Sequence, residues 1–310
     1  MPALAPFRFS GHETFVCRYA WLPKASREVT PNPLLFKDDD NAMVALGVGK
    51  NMVRSIHFWA EMAQVIEQVE DGSHRITSFG QQLIGHDGHE PFLESVSALW
   101  LIHWKIATNP KSPLFFWHQL LNFWHRAEFR ESEIIAFFEK NTSATAALRS
   151  KSTLGAGYRV FVNTYVPGQS AKGEVGEDSL DSPLVELDLL RRVGDSRGGG
   201  LQHRETIFAF NLDDKPAVSP TLFAYCLHNF WSNNYPDEQT LPFSIITAAP
   251  GSPGQGFKLP EFAVRRRLDL LKATTGGVFT FEESVSLQLA QRKRSADFET
   301  LLDAVYAVEA

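Results

Sequence analysis

Residues 46–59 read LGVGKNMVRSIHFW, and no other stretch restricts the possible folds as much. Two glycines separate one helical pattern, DDDNAMVAL, from a second, KNMVRSIHFWAEMAQVIEQV. Acids at 38–40 suit the positive end of the first helix dipole. In the second pattern Met52, Ile56, Trp59, Ala63 and Ile66 recur at the i, i+4, i+7 spacing of a helix packed on a core. A glycine turn ahead of a helix serves either a phosphate loop or a helix-turn-helix unit. The phosphate loop needs G-x-x-x-x-G-K-[ST]. Here Asn51 follows Gly49-Lys50, Val44 stands where the first glycine belongs, and no strand precedes. Both the wide loop and the magnesium-binding hydroxyl are missing, so that reading fails. The helix-turn-helix reading places Lys50, Arg54 and His57 opposite the apolar stripe, with Asn51 and Ser55 to one side. Such side chains contact phosphates and base edges. HRITSFG would then supply a wing. A solvated, charged helix face is the plainer account of the same positions.

The order helix, turn, helix, ribbon recurs without a sequence repeat, near 33–90 and near 240–295. In the second copy Val264, Leu268 and Leu271 form the buried stripe of VRRRLDLLK, while Arg265, Arg266 and Lys272 point outward, to DNA, a partner or water. Between the copies, ESVSALWLIHWKIA, SPLFFWHQLLNFWHRA and RESEIIAFFEKN each carry a helical apolar pattern. Ser112-Pro113 and Ser219-Pro220 read as helix starts, and GDSRGGG as a flexible break before the strand ETIFAFNL. The expected fold is mainly α with minor β, winged helix-turn-helix units flanking a helical middle. The expected regions are 1–92, 93–235 and 236–310. Net charge is −6, so any DNA contact must come from local basic surface. Two distant cysteines, no signal-peptide pattern and no apolar run long enough for a bilayer predict a cytoplasmic chain.

Chemistry has fewer candidates. GEVGEDSLDSPLVELDLL places Glu177, Asp178, Asp181 and Glu186 on a loop leading into a helix. Carboxylates so clustered can hold Mg²⁺ or Mn²⁺, which activates water at a phosphodiester. The same segment also reads as an ordinary acidic loop, with Ser182 and Pro183 starting the next helix. His12 and Glu13 in SGHETF are not a zincin motif, because Val16 stands where the second histidine belongs. Adjacent residues serve one site only in a turn, and a core or turn role is the simpler one. PGSPG lacks nucleophile-elbow spacing, and HDGHE matches a surface turn as well as a metal ligand set.

FSGHETF, Arg18, Trp21-Leu22, LGVGKNMV, TYVP, EDSLDSPLVEL, FAY with Phe230-Trp231, and PGSPGQ with FKL together resemble one bacterial family, spread from about residue 7 to 290. It is the SspB-like family of DNA-nicking components in Ssp DNA phosphorothioation systems, which act in phage defence. The resemblance implies a metal-dependent nickase that opens one strand for sulfur insertion. It implies double-stranded DNA, a cysteine desulfurase, an ATPase and an enzyme resembling PAPS reductases as partners. His12, Glu13, Lys50, Asn51, Glu177, Asp178, Asp181, Glu186 and Lys258 lie in the matching blocks. On this expectation Lys50, Asn51 and Arg54 dock the duplex, Glu177, Asp178, Asp181 and Glu186 hold the metal and water, and Lys258 steadies the phosphate. The alternative is a DNA-binding adaptor without chemistry, which recruits the sulfur-transfer machinery.

Overall fold

Asp38 begins the glycine-turn unit. Its carboxylate accepts the backbone amides of Asp40 (3.0 Å) and Asn41 (3.2 Å), capping α2 (Asp39–Leu46). Gly47 ends that helix at φ 65°, in the left-handed region that costs a glycine least, with its N–H on the Met43 carbonyl. Gly49 is extended and starts α3 (Lys50–Met62). An antiparallel hairpin follows, β1 (Ile66–Gln68) and β2 (His74–Ile76), in which Ile66 faces Ile76 and Gln68 faces His74. The helix α1 (Trp21–Val29) packs on α3, and the Trp59 indole donates to the Phe15 carbonyl at 3.1 Å. The computed structural model describes residues 5–141, 150–167, 182–197, 204–284 and 287–307.

After α4 (Ser78–Ile84) the middle of the chain is built on α5 (Val96–Ala107), which is buried from Ser97 to Ile106. Its apolar residues run all round, so it reads as a core helix with protein on every side. Packed with it are α6 (Phe115–Asn122), α8 (Lys151–Tyr165) and the 3-10 turn Pro183–Leu187, while α7 (Glu131–Asn141) packs on α8. Ser112-Pro113 does not start α6. Leu114 is the residue ahead of that helix, because residues 113–114 are extended and bridge to Arg8. A second correction concerns GDSRGGG. Its first four residues, 194–197, are not a break but the end of the strand β4 (Leu190–Arg197), paired antiparallel with β5 (Arg204–Phe210), which also pairs with β3 (Glu128–Phe129), and residues 198–200 lie outside the described residues. The register shifts between Arg192 and Gly194, leaving Val193 exposed. Asp195 ties the ribbon through Arg192 (2.8 Å) and Arg204 (3.1 Å), so its sequence carries no apolar alternation to read.

The C-terminal part begins with α9 (Pro220–Asn234), whose cap Ser219 accepts the Leu222 amide as expected. Next come β6 (Thr240–Pro242), α10 (Phe243–Ala248), the single turn α11 (Pro253–Gly256), α12 (Glu261–Asp269) and α13 (Leu271–Thr274). The ribbon β7 (Phe279–Glu283) and β8 (Gln288–Arg292) joins β6 in the order β6-β8-β7. The last helix, α14 (Phe298–Tyr306), lies across α9 and α4. There Gln82 donates to Asp303 at 2.7 Å and His89 stacks on Tyr306 at 4.6 Å. The buried apolar side chains form one continuous cluster through all these parts.

A polar chain crosses that core. The Trp117 indole donates to the Tyr165 hydroxyl (2.7 Å), which contacts His103 Nδ1 (2.7 Å), and His103 Nε2 meets the Gly256 carbonyl (2.8 Å). We expect Tyr165→Phe to cost about 3 kcal/mol, because it strands the Trp117 N–H and His103 Nδ1 without partners. Urea unfolding checks this, and a loss below about 0.5 kcal/mol would reject it.

Burial also depresses four histidines, His12, His103, His118 and His228, each to about 4 from the ordinary 6.5. Between those values the unfolded chain binds protons that the native chain refuses. Their stabilisation is complete above about pH 6.5 and is lost as the pH falls toward 4. The melting temperature should therefore drop between pH 7 and about pH 5, and an unchanged value would contradict it.

Candidate nucleic-acid interface

The exposed side of α3 is organised from its N-terminal end by one carboxylate. Asp39 Oδ2 lies 3.0 Å from Lys50 Nζ and 3.2 Å from Arg54 Nη2. These two contacts, that of Lys50 first, lower the Asp39 pKa against its slight desolvation. Lys50, Asn51 and Arg54 are all exposed, so they occupy the surface on which the sequence expectation placed them. Ser55 does not. It is fully buried and its hydroxyl donates to the His12 carbonyl at 3.1 Å, because its position on α3 turns inward against residues 9–15.

His57 also departs from the expectation of a free reading residue. It is half-buried, stacked on Phe36 at 4.5 Å, and its Nε2 lies 2.8 Å from His74 Nε2 on the hairpin. Glu61, one turn further along α3, brings Oε1 to 3.4 Å from His57 Nε2 and 3.7 Å from His74 Nε2. Its other oxygen, Oε2, takes Arg8 at 3.2 Å. The imidazoles and Arg8 hold the Glu61 carboxyl well below the usual carboxylate range although burial opposes this. Among the described residues these three side chains converge in a geometry able to hold a metal ion. Glu61 and Arg8 also line a cleft of about 290 Å³ with Gln64, Glu67, Asn109 and Lys111.

Sequence reasoning missed Glu61, His74 and Arg8. The spacing of His57 and Glu61, four apart on a helix, was readable. The position of His74 depends on the hairpin register, which no local pattern reports.

The other candidates are dispersed. His12 is buried, its Nδ1 accepts the Thr14 amide at 3.1 Å, and it packs edge-on against Phe58, so it holds the turn together. Glu13 occupies that turn at φ 47° and points to solvent. Glu186 is exposed and accepts the Tyr19 hydroxyl. Glu177, Asp178 and Asp181 lie outside the described residues. Lys258 does not present a free ammonium. It is buried, its Nζ donates to the Leu121 carbonyl at 2.6 Å and lies 4.7 Å from the Phe210 ring centroid, and burial lowers its pKa to about 8. The cleft it borders, about 260 Å³, contains none of the other candidates. Arg265 pairs with Glu283 and Arg266 with Asp214, both partly exposed. Arg267 is the buried member of the run, donating to Asp214 and to the carbonyls of Val218, Ala263 and Lys215. His86 pairs with Asp87 at the surface and His89 with Asp303, so HDGHE does not close on one ion.

Asp39 both positions and neutralises the two cations of α3. If this face docks duplex DNA, Asp39→Asn should tighten binding at low salt by roughly two- to fivefold, the scale of one exposed ion pair. Fluorescence anisotropy measures it, and weaker binding would remove the face from consideration.

Residues 9–306 match the model of the family described as "Protein of unknown function (DUF4007)". No curated protein matches the sequence. An SspB crystal structure superimposes with a TM-score of 0.82 at 24% identity, covering 98% of this chain and 88% of that one. A magnesium-ion-bound SspB crystal structure superimposes with a TM-score of 0.81 at 22% identity over the same shares. Among the described residues, no helix is long and apolar enough to cross a membrane.

Proposed function

Since the chain belongs to the DUF4007 family over residues 9–306, we propose that it is a DNA-processing protein of the SspB kind, a metal-dependent nickase serving phosphorothioation. The observation that carries this reading is the likeness in fold to SspB along 98% of the chain. The α2–turn–α3 unit with its hairpin has the element order of a winged helix and presents Lys50, Asn51 and Arg54 outward. The order α9, β6, α10, α11, α12, α13, β7, β8, with the sheet arranged β6-β8-β7, supports reading this end as a second unit of that kind. Duplex docking by such units places the helix after the turn in the major groove.

A relative that binds magnesium supports a hydrolytic metal. Magnesium prefers near-octahedral oxygen ligation. The described trio His57, Glu61 and His74, with two imidazoles, is a poor match for it. The oxygen-rich candidates Glu177, Asp178 and Asp181 fit the ion's chemistry, and their role rests on the family resemblance. When bound there, Mg²⁺ would activate water and neutralise the developing phosphate charge. The chain's own part is to fix the duplex through Lys50 and Arg54.

A second reading has an observation in its favour. Of the described candidates for chemistry, His12, Glu186 and Lys258 each serve a structural contact and Glu13 faces solvent apart from them, which suits an adaptor that docks DNA and recruits sulfur-transfer partners. Nicking of supercoiled plasmid separates the two. With Mg²⁺ or Mn²⁺ we expect open-circle product that EDTA abolishes and that Asp178→Ala lacks while still binding DNA. Arg54→Ala should weaken binding in both cases and reduce the salt slope by about one. Duplex binding without any nick, under either metal and with the partner enzymes added, would establish the adaptor.

A further inference from the structure

We propose that His57, Glu61 and His74 form a binding site for a first-row transition-metal dication of the zinc class, which fastens the hairpin to α3. This site goes beyond the nickase reading and does not depend on it. Three observations converge on it.

The first is donor geometry. The three ligand atoms are separated by 2.8 Å between the two imidazole Nε2 atoms, and by 3.4 and 3.7 Å from each to Glu61 Oε1. Around a tetrahedral zinc with bonds of about 2.0–2.1 Å, neighbouring ligands stand about 3.3 Å apart. The observed triangle brackets that edge length, so an ion fits with adjustments of a few tenths of an ångström.

The second is the position of His74. Its side chain is only 2% exposed, and its Nε2 points at His57 and Glu61. Among the described residues this buried imidazole engages a second imidazole and a shared carboxylate, which satisfies it weakly as a hydrogen-bonding group. Ligation by Nε2 gives it a strong partner.

The third is the support around the ligands. Arg8 holds Glu61 Oε2 and so leaves Oε1 for the ion, while Phe36 stacks on His57 and meets His74 edge-on at 5.6 Å. Partners of this kind orient ligands in metal sites. The ligands come from two elements: His57 and Glu61 lie one turn apart on α3, and His74 opens β2. An ion held by all three therefore crosslinks helix and hairpin. The side chains of His57 and Glu61 remain 29% and 19% exposed, which leaves a fourth position open to water. Two neutral imidazoles with one carboxylate suit zinc, and select against magnesium.

Cobalt titration of the metal-stripped full chain tests this, because tetrahedral Co²⁺ has intense visible absorption that octahedral Co²⁺ lacks. We expect one equivalent to develop the tetrahedral spectrum, Zn²⁺ to displace it stoichiometrically, and millimolar Mg²⁺ to leave it unchanged. His57→Gln and Glu61→Gln, chosen because these side chains are partly exposed, should fold as judged by circular dichroism. Each should lose at least about 100-fold in Co²⁺ affinity, beyond the usual effect of removing an outer partner. An octahedral spectrum, binding unaltered in both variants, or displacement by Mg²⁺ would overturn the assignment. The trio would then be a hydrogen-bonded cluster.

Discussion

The hydroxyl of Tyr165 holds the centre of this molecule in register. The Gly256 carbonyl can only accept, so His103 must carry its proton on Nε2 and present a bare Nδ1. Tyr165 must therefore donate to that nitrogen, and its oxygen is left to accept the Trp117 indole. Every group in the chain has one available role, and a fully satisfied buried network specifies a unique arrangement where a greasy contact would tolerate several. Through it α5, α6, α8 and the turn around Gly256 are fixed to one another. Lys105, on the same helix α5, extends the coupling outward: its ammonium lies 4.5 Å from the Phe79 ring and 5.2 Å from that of Tyr225. Burial lowers its pKa to about 8, a desolvation cost that the two ring faces partly offset.

That rigid middle bears on both helix-turn-helix-like ends. Trp59 of α3 meets Trp117 of α6 at 5.8 Å, and Asn109, just beyond α5, donates to the carbonyls of Glu61 and Met62. The C-terminal end of α3 is thus held by the core, which fixes the direction in which Glu61 and the hairpin point. On the other side Arg267 satisfies three carbonyls and Asp214 at once, tying α12 to the segment ahead of α9. An uncompensated guanidinium in that position would be costly, so the surrounding acceptors are part of the fold and not available to a ligand.

The sequence showed these elements where chemistry is local. The acids of 38–40 and the glycines at 47 and 49 announced a helix with acids at its start, a tight turn and a second helix, and all are present. Ser219-Pro220 marked α9 for the same reason. What escaped reading depended on distant partners. Ser112-Pro113 has the composition of a helix start, yet pairing with Arg8 keeps it extended. LRRVGDSR has no apolar alternation, because its strand is held by a ladder to β5 and by Asp195. The face of α3 shows both limits together. Periodicity identified Lys50, Asn51 and Arg54 as outward, whereas Ser55 and His57 sit at the edges of the stripe, where packing against residues 9–15 and against Phe36 decides. A helical wheel ranks faces. It does not locate the neighbours that close over them.

Along α3 the residues at 50, 54, 57 and 61 share one face, in the order cation, cation, imidazole, carboxylate. Each is restrained by a group from another element: Asp39 at the near end, and His74 with Arg8 at the far end. Long exposed side chains ordinarily lose rotamer freedom when they bind, and that loss subtracts from affinity. Here much of it is incurred on folding, inside a unit whose helix is already anchored by Trp59 and Asn109. A ligand approaching this face meets charges held near fixed positions, and the carboxylates that hold them also set how much net positive field it encounters. The same acid that orders the two cations also limits the positive field they project, so under the proposed docking of a duplex this face would select by geometry at contact more than by attraction from afar.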